Sequence, residues 1–395
     1  MALGIGIVGC GNISSRYFDN AALFPGVEIR ACADLFDAAS KRCADRYGVR
    51  CSPVVDLLEA DDIDLVINLT IPAAHYEISL AALEAGKHVY TEKPLAATAP
   101  LGRKLVEVAE RIGLRLGSAP DTFLGAAGQT ARSLVDGGKI GGIVGGACYV
   151  MSRGAESWHP NPDFLYREGG GPVLDLGPYY VTMLVNLMGP VRKVSAMAAT
   201  PFATRTIGSG PRQGEKIAVE TPTSIHCILE FASGALVSFS ASWDVWHHGH
   251  NNIEIYGEAG SMVVPDPNFF GGEVKLTERD GPLVAVPDDG HPLARHNRQT
   301  RRGMVADYRA IGLADMAAAI AEGRPHRCDG KLGLHVLDVL EGILLSARES
   351  RAVSIGTSCI RPASLSIAEV DLLMGKSPVK AAGRTAAHRM GSAGE

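Results

Sequence analysis

Apolar residues follow two rhythms along this chain. Over the first 120 positions, short unbroken apolar runs alternate with segments whose apolar residues recur at helical spacing. Leu3 to Val8, Val27 to Ala33, Asp64 to Thr70, Lys87 to Tyr90 and Leu114 to Gly117 read as buried strands, with a short third strand following Tyr47-Gly48-Val49. Helices are predicted from about Ser14, over Val54 to Glu59, from Ala73 or Ala74 to Ala85, and from Thr98 to Arg111, where Gly113 stops the last. Strand and helix alternating at short spacing predict α/β architecture, a doubly wound parallel sheet that ends near residue 120.

Beyond that point the rhythm changes. A helix is predicted over Ala126 to Asp136 and a strand over Ile143 to Met151, followed by an irregular segment, Arg153 to Glu168. Gly169-Gly170-Gly171-Pro172 introduces one helix, Val173 to Leu187, that Gly189-Pro190 stops. Period-two runs then mark strands at Val191–Ala199, Ser224–Phe231, Ala235–Trp243, Asn252–Tyr256, Ser261–Val264 and Val274–Thr277, in a mostly antiparallel sheet. Residues 200–222, rich in Thr, Pro and Gly, read as a long loop. Two helices close the pattern, Val305 to Glu322 and Lys331 to Ser350. The expected division is a dinucleotide domain over 1–120, an α/β domain over 121–360 for substrate and oligomer contacts, and a tail over 361–395. In the tail one short helix, Ser366 to Met374, is expected, with roughly the last 20 residues disordered.

Composition narrows the partners. In 395 residues, 46% are hydrophobic, 21% are charged and the net charge is −5 without long runs of either sign. Neither nucleic acid nor a membrane surface is favoured as a partner. Eight scattered cysteines form no C-x-x-C pair, so no metal or disulfide framework is expected. The chain opens on a strand without a charged leader, and a cytoplasmic setting fits.

The candidate chemistry lies at strand ends. Gly9-Cys10-Gly11-Asn12-Ile13-Ser14 follows the first strand and opens a helix, a G-x-G-x-x-G pattern with Ser in the third place. Gly9 suits the tight turn, Gly11 lets backbone approach a pyrophosphate, and the helix start points N–H groups at phosphates. Asp34 ends the second strand, twenty residues past Ser14, where an acid bonds the adenosine ribose and repels a 2′-phosphate. NAD is therefore favoured over NADP, with Gly9, Gly11, Asn12, Ile13 and Asp34 as its residues. The Thr70-Ile71-Pro72 turn is expected beside the nicotinamide ribose. His75 is grouped with it, although a packed or capping histidine is the commoner role at that position.

Tyr90-Thr91-Glu92-Lys93-Pro94 places a lysine between an acid and a proline at a strand's carboxyl end, where open α/β sheets bind ligands. Asp175 and Tyr179 are four residues apart, on one face if their helix is continuous. A buried Asp175 requires a partner, and Lys93 is the candidate. Arg153, Trp158 and His159 on the irregular segment, and His248 among His247, His248 and His250, suit a polyhydroxylated ligand. The basic group Arg295, His296, Arg298, Arg301 and Arg302 fits a solvated turn or subunit contact better than an anionic substituent.

Taken jointly, these motifs resemble the oxidoreductases typified by glucose–fructose oxidoreductase and inositol dehydrogenase, the Gfo/Idh/MocA family. The resemblance rests on the glycine loop, Asp34, Ala82 to Val89, Glu92-Lys93-Pro94 and Gly169 to Gly177, and covers roughly residues 3–355. It implies a Rossmann domain joined to an α/β domain with an open sheet, and a homodimer or homotetramer. It also implies hydride transfer between NAD and a sugar, cyclitol or derivative, with Lys93, Asp175 and Tyr179 catalytic and Glu92 beside the cofactor. The alternative is an oxidoreductive glycosidase or lyase. Many members carry His where this chain has Tyr179. Tyrosine ionises near 10 in the unperturbed state, so it acts at neutral pH beside a cation or as a hydrogen-bonding group.

Overall fold

The computed structural model describes residues 2–159, 161–300 and 303–376. In chain order the first unit contains β1 (Leu3–Val8), α1 (Ser14–Ala21), β2 (Val27–Ala33), α2 (Asp37–Tyr47), β3 (Arg50–Cys51), α3 (Val54–Glu59), β4 (Leu65–Asn68), α4 (His75–Glu84), β5 (His88–Thr91), α5 (Ala99–Ile112) and β6 (Leu116–Ser118). Its six strands lie in the order β3-β2-β1-β4-β5-β6, all parallel. Ile5, Ile7, Leu65, Val66, Ile67 and Val89 are fully buried because helices cover both faces of the sheet. The order reverses between β1 and β4, and the crevice outside their carboxyl ends is where such sheets take a dinucleotide.

The second unit begins with α6 (Ala126–Asp136) and β7 (Ile143–Met151). Next come α7 (Gly171–Asp175), α8 (Gly177–Met188), β8 (Val191–Ala199), β9 (Thr204–Thr206), β10 (Lys216–Ala218), β11 (Ser224–Phe231) and β12 (Leu236–Ser242). β13 (Ile253–Gly257), β14 (Gly260–Val264), β15 (Val274–Glu278), β16 (Val284–Val286), β17 (Arg298–Thr300) and β18 (Gly303–Val305) follow. The chain closes with α9 (Ile311–Glu322), α10 (Gly330–Glu349), β19 (Val353–Ser354) and α11 (Ile367–Leu373). Nine strands form a sheet ordered β16-β15-β14-β13-β7-β12-β11-β8-β19, antiparallel except where β7 meets β12. Along β11 the residues Ile225, Cys227, Leu229 and Phe231 are buried while His226 and Ile228 are exposed, so the sheet has one dry face. Helices α6, α8 and α10 pack on it.

Several expectations change. The single helix over 173–187 is two: α7 ends at Asp175, and α8 restarts at Gly177, with Pro178 in its first turn. A side chain at Gly177 would lie 2.6 Å from the tip of the Leu340 side chain, so glycine lets Leu340 of α10 pack against the break. Residues 200–222 contain the β9–β10 hairpin. The helix expected from Val305 begins only at Ile311; a β17–β18 hairpin and a turn precede it. The short helix expected over Ser366 to Met374 is present as α11, and the segment around it is tied down: Arg361 pairs with Asp136 at 2.5 Å, Arg327 with Glu369 at 2.6 Å, and Leu365 donates its N–H to Gln129. The disorder expected at the end of the chain falls on residues 377–395, outside those described.

α10 serves both units. It packs against α5 and β6 on one side and against α8 and β8 on the other. Glu341 accepts the Ala99 N–H at 3.0 Å and so caps α5, whose N-cap Thr98 makes no side-chain bond. Leu334 and Leu337 complete the apolar layer formed by Leu95, Leu105 and Leu116.

Candidate active site

The glycine loop is shaped for a close ligand. Gly9 has φ +103, and a side chain there would lie 2.6 Å from the Leu69 backbone. Gly11 has open space where its side chain would project, the clearance a pyrophosphate on the α1 amino end needs. Ser14 is buried and donates its hydroxyl to the Gly11 carbonyl at 2.7 Å, fixing the loop's return. Asp34 accepts the Cys10 N–H at 2.7 Å and the Phe36 N–H at 2.9 Å. Its carboxylate is thus anchored beside the loop, with further lone pairs for ribose hydroxyls. Leu35 and Phe36 next to it are 88% and 70% exposed, an apolar surface of the kind an adenine ring covers. The residues present therefore fit a dinucleotide.

The far end of the crevice is built by β4 and β5. Buried Asn68 donates to the His75 carbonyl and the Ser79 hydroxyl, each at 3.0 Å, and accepts from the Thr70 N–H and hydroxyl. The Thr70-Ile71-Pro72 turn is held in this way, with Ile71 exposed. His75 is 1% exposed, its ring nitrogens 2.6 Å from the Pro94 carbonyl and 3.1 Å from the Thr70 carbonyl. The ring is enclosed between the Pro94 and Thr70 loops, and in its neutral form donates to one of the two carbonyls. Burial lowers its pKa, against the pull of those two carbonyls. Glu92 is likewise committed, accepting the Tyr17 hydroxyl and the Lys93 N–H at 2.9 Å each.

Lys93 crosses between the units. Its Nζ donates to the Asp175 carbonyl at 2.6 Å and to Asp175 Oδ1 at 3.1 Å, and lies 5.2 Å from the centre of the Tyr179 ring. The break after α7 makes this possible. In an unbroken helix the Asp175 carbonyl would accept the Tyr179 N–H; here Tyr179 donates to Leu176 instead, and the freed carbonyl takes the ammonium. Asp175 and Tyr179 therefore meet Lys93 from the ends of two helices, not from one helical face. Burial opposes the charge on Lys93, but Asp175, Tyr179 and Glu92 outweigh it and hold its pKa well above the usual lysine value. Lys93 is thus favoured in its charged form, as a hydrogen-bond donor.

Sequence reasoning missed Arg309, which the turn before α9 delivers to the same place. It donates to Asp307 Oδ1 at 3.2 Å and to Asn268 Oδ1 at 3.1 Å. Despite burial, Tyr179, Asp307 and Glu92 keep its pKa above the ordinary arginine range. Asp307 apart, these partners lie far from Arg309 in sequence, so no local motif signals them.

The remaining sequence-predicted residues lie in a satellite cluster. Arg153 stacks on Trp246 at 4.6 Å and on Phe202 at 5.6 Å. Trp158, His159 and Phe164 form an edge-to-face series. Beneath them Glu156 accepts from Tyr166 and Arg205, and Arg205 also pairs with Asp244. His248 places Nε2 3.2 Å from the Met151 carbonyl, and His250 stacks on Tyr149. Of the basic group, Arg298 lies 3.6 Å from Asp19, while Arg301 and Arg302 fall outside the described residues.

Two family models match the chain: an oxidoreductase family with an NAD-binding Rossmann fold over residues 3–119, and a GFO/IDH/MocA C-terminal domain over 129–263. A dTDP-3,4-didehydro-2,6-dideoxy-alpha-D-glucose 3-reductase of Streptomyces violaceoruber is 30% identical over 61% of this chain and 69% of its own length. The chain belongs to the Gfo/Idh/MocA oxidoreductase family. Within that family, an inositol 2-dehydrogenase of Rhizobium meliloti is 24% identical over 90% of this chain and all of its own. A levoglucosan dehydrogenase of Pseudarthrobacter phenanthrenivorans is 28% identical over 52% of this chain and 56% of its own. Solved structures share the fold. An NAD-binding oxidoreductase from Klebsiella pneumoniae superposes with TM-score 0.78 at 24% identity, over 91% of this chain and all of that one. A levoglucosan dehydrogenase in complex with NADH and L-sorbose gives 0.76 at 22% identity, over 90% and 100%.

Proposed function

We propose that this protein is an NAD-dependent dehydrogenase acting on a hydroxyl-bearing carbon of a sugar, cyclitol or sugar derivative, with NAD preferred to NADP. The observation that carries the reading is Lys93, an ammonium from the dinucleotide unit held against Asp175 and Tyr179 of the other unit. Relatives named for sugar and inositol substrates support the substrate class. The acid at Asp34, with Leu35 and Phe36 after it in place of basic residues, supports NAD.

When bound, the nicotinamide supplies the hydride acceptor or donor. Gly9, Gly11, Asn12, Ile13 and Asp34 would hold the adenosine and phosphate end, with Thr70 and Pro72 at the other. Lys93 stays protonated, so it donates a hydrogen bond to the substrate oxygen and stabilises negative charge there. The proton leaving the hydroxyl passes to the Lys93/Asp175/Tyr179 group, in which the Asp175 carboxylate is the acceptor and the Tyr179 hydroxyl a hydrogen-bonding group. Positioned acid–base help of this kind is worth roughly 10²–10⁴-fold.

A second reading, transient oxidation of a glycoside followed by loss of its aglycone, is favoured by one observation. Trp158 and Phe164 are exposed on a loop that packs on Gly170, at the start of the helix ending in Asp175. Such rings suit an aglycone. One experiment separates the readings: sugars, cyclitols and glycosides are screened with NAD and NADP while NADH and released aglycone are followed together. NADH formation with a free polyol supports the dehydrogenase. Aglycone release without net NADH selects the glycosidase. Intact NAD binding with neither product would leave a cofactor-responsive regulator.

A further inference from the structure

We propose that Arg153 receives a carboxylate of the substrate, which makes that substrate a sugar acid or a glycoside of one. The inference rests on the dehydrogenase reading above and names the class of molecule that its site takes.

Arg153 belongs to a series in which aromatic rings and guanidiniums alternate. Its guanidinium carbon lies 4.6 Å from the centre of the Trp246 ring and 5.6 Å from that of Phe202. Phe202 lies 5.0 Å from the guanidinium carbon of Arg205, which is 5.9 Å from the Tyr166 ring. All four separations fall inside the roughly 6 Å over which a ring face attracts a cation. Trp246 is 81% exposed and Tyr166 fully buried, so the series runs from solvent into the satellite core formed with Trp243 and Leu165. Rings hold a guanidinium by its flat faces and leave its N–H edges for other partners.

The two arginines differ in what those edges meet. Arg205 is buried and donates to Glu156, to Asp244 and to the Trp243 carbonyl. The same two carboxylates also accept the Tyr166 and Thr223 hydroxyls. Arg153 is partly exposed, and among the described residues its ionic partner is Glu156, 4.0 Å from Nε and beyond hydrogen-bond length. With Nε turned to Glu156, the two Nη groups are the uncommitted donors, a fork that matches the paired oxygens of a carboxylate. Glu156 and Asp244 underneath make a singly charged group cheaper to receive than a phosphate dianion. The position also suits the reaction. Arg153 faces Asp244 across an isolated bridge, and Asp244 accepts Thr223 at 2.8 Å. Thr221 and Pro222, just before, pack on Gly171, where a side chain would lie 3.3 and 3.0 Å from their oxygens. Gly171 opens α7 and Asp175 closes it against Lys93; its five residues span about 7.5 Å. The carboxylate site and the reacting carbon thus lie toward opposite ends of α7.

The test uses the full-length protein with NAD bound. Calorimetric titrations compare glucuronate with glucose, galacturonate with galactose, and a phenyl glucuronide with the phenyl glucoside. At least one acid is expected to bind about tenfold or more tighter than its neutral counterpart. Arg153→Gln reduces that preference to about twofold or less, and Arg153→Lys, which keeps the charge without the fork, retains only part of it. Trp246→Ala, which frees the guanidinium plane, lowers the preference while the charge remains. Should Arg153→Gln fail to fold, Arg153→Lys and Trp246→Ala carry the comparison. A mere brace for the satellite cluster would lower Tm in these variants and leave the preference as it was, which overturns the proposal. So does wild-type protein that prefers none of the acids, or one that binds glucose 6-phosphate more tightly than every carboxylate. Neutral sugars oxidised without any preference for acids would remove this inference and leave the dehydrogenase. Acid binding that depends on Arg153, with no NADH from any sugar, polyol or acid, would do the reverse.

Discussion

Lys93 sits among Asp175, Tyr179 and Glu92, all of which favour its charged form. Its contribution is a fixed positive charge, and that makes substitution informative. Lys93→Met is expected to lower kcat by about 10²-fold or more while NAD affinity, measured by calorimetry, changes little. Equal turnover would remove Lys93 from the reaction. Asp34 offers a complementary test at the other end of the crevice. Asp34→Asn keeps an acceptor for the Cys10 N–H but removes the charge, at a cost of about 1.5–3 kcal/mol for a charge-assisted bond. NAD binding is expected to weaken by about tenfold or more, with NADP binding unchanged or improved. Lys93, Asp34, Asp175 and Tyr179 were legible in the sequence because each stands in a short run with its own punctuation. Asn68, Asp121, Asn268 and Arg309 were not. Their partners lie on other elements, and an isolated polar residue in an apolar neighbourhood carries no local mark of what it will meet.

Elements were read well where glycine and apolar spacing agree, as in β1, β2, β7, β8 and α6. They were misread where tertiary contact overrides spacing. Between α7 and α8 the apolar residues continue at helical period, yet the close approach of α10 at Gly177 and the proline after it break the helix. Before α9, the same kind of apolar run begins as a strand because β17 and β18 pair, and Asp121 then sets where the helix starts. That carboxyl has a measurable signature. Burial pushes Asp121 up to about 7, with Gly312 N–H, Arg309 and Ala310 N–H opposing the shift. Between its ordinary value near 3.8 and about 7 the folded state binds the proton and the unfolded chain does not. Stability from this group is therefore full at the acid end of that window and declines as pH rises through it. Asp121→Asn is expected to flatten the dependence of Tm on pH between about 4 and 7. An unchanged slope in calorimetric scans across that range would assign the titration elsewhere.

At the scale of the whole molecule, the two sheets and their order along the chain follow from the change of apolar period near residue 120. The period does not reveal which face of the larger sheet stays bare. Met197 is 81% exposed there, with Ile228, Leu236 and Tyr256 also on that face, and among the described residues no helix covers them. We propose that copies of the chain associate through this exposed apolar face. The chain is expected to run as a dimer or tetramer in light scattering, and Met197→Glu with Ile228→Glu to yield smaller species that remain folded. Among the described residues no helix is long and apolar enough to cross a membrane.

The placement of α10 has a consequence for how the protein is made. Leu334 and Leu337 belong to the apolar layer of the first unit, and Glu341 caps one of its helices. During translation the opening 120 residues leave the ribosome long before those side chains exist. The nascent dinucleotide unit must therefore wait with an unfinished surface against which nothing yet packs, and a fragment cut at residue 120 would carry that exposed apolar surface permanently.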